Sequence, residues 1–264
     1  MSILRFASLG SGSEGNALIV ESGTTRVMLD CGFSVKETAR RLARLNLTPE
    51  DLTAVVVTHE HADHIGSAVK FCARYQKPLW GSYGTFAAWL GSDPARHSQF
   101  HQAPKYCHAG QLLEIGELQL QPYTVPHDAR EPLQFVFANG QHRLGVLTDA
   151  GHYTRHLAEQ LHGVHALVLE CNHDVDMLVN SNYPASLKHR IGGLYGHLSN
   201  QAAEEVLNAI DQSCLQHVVA AHLSRQNNSV ELVRATLDRA LKQVTMTQVA
   251  VACQDEGFDW LALA

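Results

Sequence analysis

Thr58-His59-Glu60-His61-Ala62-Asp63-His64 follows directly on the apolar run Ala54-Val55-Val56-Val57. In extended backbone, residues two apart point the same way, so His59 and His61 can present both imidazoles to one cation. Ile65-Gly66 begins a helical pattern. The chain must therefore turn, and the turn lets Asp63 and His64 face a second point close by. Two metal ions about 3.5–4 Å apart activate a water and clamp a phosphoryl or acyl centre. A lone His-x-His is a weak signal, because surface histidines are common. The full His-x-His-x-Asp-His set immediately after a buried run is far more specific.

Other apolar runs end in the same way. Tyr123-Thr124-Val125-Pro126 leads to His127, Leu144-Gly145-Val146-Leu147-Thr148 to Asp149, and His217-Val218-Val219-Ala220-Ala221 to His222. Taken singly, each reads equally well as a core, surface or turn residue. Their recurrence at strand ends predicts ligands that converge on one edge of a sheet, held by rigid elements. Histidine is abundant, with 17 in 264 residues, and imidazole is both the commonest metal ligand and the usual acid–base group near neutral pH.

The chain is 45% hydrophobic and 17% charged, which excludes wholesale disorder. No stretch approaches the ~18 continuous apolar residues of a membrane helix. The start lacks a basic segment followed by an apolar one, and the six cysteines form no CxxC pair. Reduced thiols and a cytoplasmic location are the expectation. The net charge of −6, from 20 basic and 26 acidic side chains, argues against a broad basic face that grips nucleic acid by phosphates alone. Two divalent ions would add +4 to that −6, leaving −2 with the positive charge concentrated in one cleft. Such a site suits a strand end or a small phosphodiester better than a long duplex.

Strands and helices alternate along the chain, with no repeat or linker. Strands are expected over ILRFASL, NALIVES, TRVMLDCG, LTAVVVTH and KPLWGS, and helices over VKETARRLARL, IGSAVKFCARYQ and TFAAWL. Ser34 and Glu37 form a capping box for the first helix. The middle, from QLLEIGELQLQPYTVPH to HRLGVLTDAG, is strand-rich. Helices over TRHLAEQLHG, QAAEEVLNAI and VELVRATLDRAL then alternate with HALVLECNHD, LQHVVAAHLS and TQVAVACQDE, and FDWLALA closes the pattern as a strand. Asn228, with Glu231 three residues on, is expected to cap the last helix. Two strand-dominated halves predict an α/β (α+β) fold in which two sheets pack face to face with helices outside, as one domain over 1–264.

These residues resemble the metallo-β-lactamase fold superfamily of dinuclear metallohydrolases, a four-layer αββα sandwich. The family pattern of HxHxDH, a later His, a later Asp and a last His is matched by His59, His61, Asp63, His64, His127, Asp149 and His222. The resemblance implies that His59, His61 and His127 hold a first metal, that Asp63, His64 and His222 hold a second, and that Asp149 bridges both. SLGSGSEGN, VTHEHADHIGS, VPHDA, LECNHD, GHLSN and AHLSRQNN are similar to the YycJ/WalJ-like branch, which is associated with 5′→3′ exonuclease activity on DNA. The familiar TDxG reads Thr148-Asp149-Ala150-Gly151, where the branch often has Leu for Ala150. Zinc is the expected metal, with manganese or iron(II) suiting the same donors.

The mechanism expected is attack on phosphorus by a hydroxide held between two cations, in line with the leaving oxygen. Asp63 is expected to hydrogen-bond that nucleophile, and His173 or His197 to protonate the leaving oxygen or contact a phosphate. Asp30, ending VMLD, reads either as a carboxylate that orients a metal-bound His or as a turn residue. In LGSGSEGN, Ser11, Ser13 and Asn16 belong either to a phosphate cradle or to a tight turn. Asn172 is a further substrate contact. Ser199 and Asn200 are either helix caps or an anion site. Lys188, Arg190 and Arg225 either line a substrate path or are solvated charges. Cys171 reads as a buried, inert thiol. Competing activities are hydrolysis of a small cyclic phosphodiester or of a thioester, and, from another class, a non-catalytic metal-binding regulator.

Overall fold

The computed structural model describes residues 2–91, 93–241 and 247–264. The first half runs β1 (Leu4–Gly10), β2 (Ala17–Ser22), β3 (Thr25–Leu29), α1 (Val35–Arg44), β4 (Ala54–Val56), α2 (Ala62–Ile65), α3 (Ala68–Tyr75), β5 (Leu79–Gly81), α4 (Tyr83–Leu90), α5 (Pro94–His97) and β6 (Lys105–Tyr106). The second runs β7 (Leu113–Ile115), β8 (Leu118–Thr124), β9 (Leu133–Ala138), β10 (Arg143–Leu147), α6 (Arg155–Leu161), β11 (Ala166–Glu170), α7 (Val175–Asn180), α8 (Ala185–Ile191), α9 (Asn200–Ala209), β12 (His217–Ala221), α10 (Val230–Ala240), β13 (Gln248–Val251) and β14 (Phe258–Leu263).

Among the described residues there are two seven-stranded sheets, ordered β14-β1-β2-β3-β4-β5-β6 and β13-β12-β11-β10-β9-β8-β7. Their facing sides share a core that includes Phe6, Leu29, Phe135, Phe137, Val168 and Val219. The outer face of the first sheet packs Met28, Val55 and Ile19 against Leu42, Val69, Phe71 and Phe86 of α1, α3 and α4. The outer face of the second packs Leu147, Leu167 and Val218 against Leu157, Val206, Leu207 and Val233 of α6, α9 and α10. Helices on both outer faces bury the central strands on both sides. That is why AVV, ALVLE and HVVAA are continuous buried runs rather than alternating ones.

β3, β4, β5 and β6 run parallel, as do β10, β11, β12 and β13. Parallel strands share the edge at which they end, so both sheets deliver their C-terminal loops to one rim of the sandwich. β14 does not stay with the half that precedes it. It crosses to pair antiparallel with β1, with Leu4 opposite Leu263.

Two local expectations are corrected. The helix expected through 65–76 is two pieces, broken at Gly66, where a Cβ would press on the carbonyls of Ala62 and Gly32. Ser229, not Asn228, caps α10 by accepting from Leu232 N. Asn228 is buried, donating to Cys171 O and pairing with Asn200.

Candidate metal centre

The residues that follow the buried strands meet at the shared rim. Asp30 follows β3, Asp149 follows β10 and His222 follows β12, and all three have left-handed backbone, with φ of 63°, 53° and 55°. Such φ values are uncommon for non-glycine residues and cluster where side-chain aim matters. Gly32 is needed nearby, because a Cβ there would strike the Asp63 carbonyl. The close approach lets Asn16 N and Cys31 N bond the carbonyls of Asp63 and His64, fixing the turn after His61.

Each of four imidazoles is tied through one ring nitrogen. His64 Nδ1 lies 2.7 Å from Asp30 Oδ2. His222 Nδ1 lies 2.9 Å from Glu170 Oε1. His127 Nδ1 lies 3.0 Å from the Gly196 carbonyl. These partners only accept, so Nδ1 carries a hydrogen and Nε2 is the nitrogen turned toward the cluster. His59 is held by relay. Thr58 donates its hydroxyl to Asp30, at 3.0 Å, and its oxygen accepts from His59 Nδ1, also at 3.0 Å. This is the arrangement by which outer carboxylates and carbonyls orient metal-binding histidines.

The inward-turned atoms converge. His59, His61 and His127 place one donor each within 4.8 Å of one another, as do Asp63, His64 and His222, and as do His59, His64 and Asp149, a set that links the other two. His59 Nε2 is buried with no hydrogen-bond partner. Asp149 Oδ2 is likewise without a hydrogen bond, although His64 Nε2 stands 3.0 Å away. An orphaned buried imidazole nitrogen is costly unless something binds it. Two nitrogens bound to one tetrahedral zinc at about 2.0–2.1 Å stand about 3.3 Å apart, and His127 Nε2 and His61 Nδ1 are 3.2 Å apart. The donor set therefore fits divalent cations.

Electrostatics agree. Burial, reinforced by the neighbouring His64, holds His59 well below the usual histidine value. Burial also pulls on His64 and His222, but carboxylates outweigh it. Asp149, Asp63 and Asp30 hold His64 well above the usual value, and Asp149, Asp63 and Glu170 raise His222 to about 10. Burial pushes Asp149 and Asp63 up, and the imidazoles of His64 and His222 more than reverse it, so both stay ionised. A cation bound to these nitrogens takes the place of their protons.

Glu170 went unread in the sequence. It is fully buried at the end of β11. Oε1 accepts from His197 Nδ1 at 2.8 Å and from His222 Nδ1, while Oε2 accepts from Ala150 N and Leu198 N at 3.0 Å. Burial alone would raise its pKa, but His197 and His222 hold it at about 2. The available signal was a carboxylate closing the otherwise apolar run ALVLE.

The centre opens into a cleft of about 420 Å³, lined among others by Ser13, His61, Asp63, Asp149, Asn172, Tyr183, Arg190, His197 and His222. Asn172 lines it as a buried residue that donates to His222 O, whereas Ser13 and His197 are open to a ligand. Ser11 and Asn16 are not. Both are buried, Ser11 Oγ accepting from His222 N and donating to Asn16 Oδ1, while Asn16 Nδ2 reaches Gly12 O and lies 3.1 Å from His64 Nε2. Ser199 caps α9, and Asn200 is buried against Asn228. His173 is buried outside the cleft lining, with its backbone bridged to Ser199. The side chains of Ser11, Asn16 and Asn200 are thus engaged within the protein, and Ser199 rather than Asn200 is the cap of α9. Burial raises the Cys171 thiol, consistent with an inert role.

A fold of two sheets between helices, with His and Asp clusters at its rim, defines a class. The chain belongs to the metallo-beta-lactamase superfamily, whose model matches residues 10–168, and it is a metal-dependent hydrolase. It is similar to the exodeoxyribonuclease YycJ of Bacillus anthracis, with 31% identity over 243 residues covering 91% of this chain and 90% of that protein. It is 30% identical to the exodeoxyribonuclease WalJ of Streptococcus pneumoniae over 247 residues, covering 92% and 90%. The metallo-beta-lactamase fold protein YhfI from Bacillus subtilis shares the fold at 16% identity, with a TM-score of 0.72 over 98% of this chain and 99% of that one.

Proposed function

We propose that this chain hydrolyses phosphodiester bonds of nucleic acid from a strand end, as a 5′→3′ exonuclease, with two divalent cations bound at the rim. His59, His61 and His127 would hold one, Asp63, His64 and His222 the other, and Asp149 both. Zinc is the first expectation. Bound there, the cations would acidify water and neutralise charge on phosphoryl oxygens. The observation that carries the reading is the set of four histidines tied through Nδ1, with His59 Nε2 unpartnered and the Nε2 atoms of His64, His127 and His222 facing Asp149, His61 and Asp63.

The chain's own residues supply the rest. Asp63 Oδ2, 3.3 Å from Asn16 Nδ2 and 3.4 Å from His222 Nε2, is placed to orient the attacking water. His197 opens to the cleft with Nδ1 on Glu170, which leaves Nε2 to deliver a proton to the leaving oxygen. Asn172 donates to His222 O and fixes that turn from the cleft side. The similarity to two exodeoxyribonucleases supports a DNA strand as substrate.

The test is degradation of end-labelled single- and double-stranded DNA and RNA, with 5′-phosphate or 5′-hydroxyl ends, by the zinc- or manganese-loaded protein. Mononucleotides released progressively from a 5′ end are expected. Turnover of a thioester with none of these strands would overturn the proposal.

A further inference from the structure

We propose that Arg190 grips a phosphate of the substrate strand next to the one being cleaved, and that Asp128 occupies its guanidinium until that phosphate arrives. The inference rests on the phosphodiesterase reading above. α8 brings Leu187, Arg190 and Ile191, together with Tyr183 just before it, onto the wall of the cleft. Arg190 Nε donates to Asp128 Oδ2 at 2.6 Å. Its two terminal amino groups have no hydrogen-bond partner among the described residues, and the side chain is 57% exposed. A guanidinium presents a planar fork that matches a phosphate through two parallel bonds.

The neighbouring cations are committed elsewhere. Lys188 Nζ donates to Val179 O, and Arg225 is divided between Glu14 and Asp255. Of these three, Arg190 alone lines the cleft. Its distance from the centre sets which phosphate it reaches. Asp128 Oδ1 is 3.5 Å from His127 Nε2 and 3.8 Å from His61 Nε2, so Arg190 stands a carboxylate's width beyond the cluster. That places it beside the scissile group rather than on it. A partly exposed ion pair is weak enough for an arriving phosphate to displace. α8 has no buried residue, so core packing does not lock Arg190 onto Asp128. Tyr183, Leu187 and Ile191 add an apolar surface for the attached base and sugar. The ligand class is therefore a strand with consecutive phosphates, not an isolated phosphodiester.

The two partners should act in opposite directions, which a purely structural ion pair would not. The probe is a fluorescein-labelled, phosphorothioate-linked hexathymidylate, titrated by anisotropy against the metal-loaded full chain over a salt series. KM and kcat are measured on the unmodified hexamer. Arg190→Ala should raise Kd and KM about ten-fold, move kcat much less, and reduce the salt slope by about one. Arg190→Lys should recover part of the loss, and Asp128→Asn should tighten binding. Unchanged Kd and salt slope in Arg190→Ala, or weakening by Asp128→Asn as large as by Arg190→Ala, would overturn the inference. A wild type that cleaves strands while Arg190→Ala matches it refutes the Arg190 role alone. A wild type inert on every phosphodiester refutes the reading of the site itself.

Discussion

Asp30 illustrates how much one side chain can govern at the residue scale. It accepts from Thr58 N, from the Thr58 hydroxyl and from His64 Nδ1, and so aims two imidazoles at once. Asp30→Asn keeps the shape but replaces one acceptor with a donor. It should weaken zinc binding about 10–100-fold, read by competition with a chromophoric chelator. Unchanged affinity would remove Asp30 from that role. Asp149→Ala removes the carboxylate that links the donor sets and should abolish turnover, with circular dichroism unchanged. The His and Asp candidates were legible because residue type and strand-end position announce them. Thr58 and Glu170 were not, because their meaning lies in partners 28 and 52 residues away. For Ser11 and Asn16 the sequence leaves a phosphate cradle and a tight turn open together. A glycine-rich loop looks open in sequence, and only packing shows that its polar groups are already paired.

Amphipathic elements with a buried face were readable, and those without one were not. α1 has a cap, a first-turn acid and a buried Leu42, all visible in the sequence. α7 buries only Leu178, and α8 buries nothing, so neither leaves a periodic signal, and both were missed. On α1, hydrogen bonds from Arg40 and Arg41 hold Glu37 at about 2. A carboxyl depressed in the folded state contributes stability above its unfolded pKa, near 4.3, and loses it as pH falls toward 2. The wild type should therefore lose more thermal stability than Glu37→Gln between pH 5 and pH 2, in paired melts. Parallel curves would contradict this. Gly151 matters differently. A Cβ there would meet the Leu194 carbonyl, and the segment beyond it carries the Gly196 oxygen that holds His127. Gly151→Ala should cost about 1–3 kcal/mol by denaturant unfolding and weaken metal binding as well. A stable variant with normal affinity would show that the segment yields.

For the whole molecule, divalent cations bound at the rim would pin together loops from both sheets. Ligand at 1,000 times its Kd adds about 4 kcal/mol to folding, which at this chain length shifts the midpoint by on the order of 10 °C. Prolonged chelation should lower the melting temperature by that amount, and zinc should restore it. A melt indifferent to chelator would mean that the rim does not bind metal tightly. The pairing of β1 with β14 has a different consequence, for biosynthesis. Leu4 meets Leu263 only after the ribosome has made almost everything between them, a delay on the order of tens of seconds at ordinary elongation rates. Throughout that interval the nascent β1 keeps one row of backbone N–H and C=O groups without its native partner, an edge open to non-native pairing.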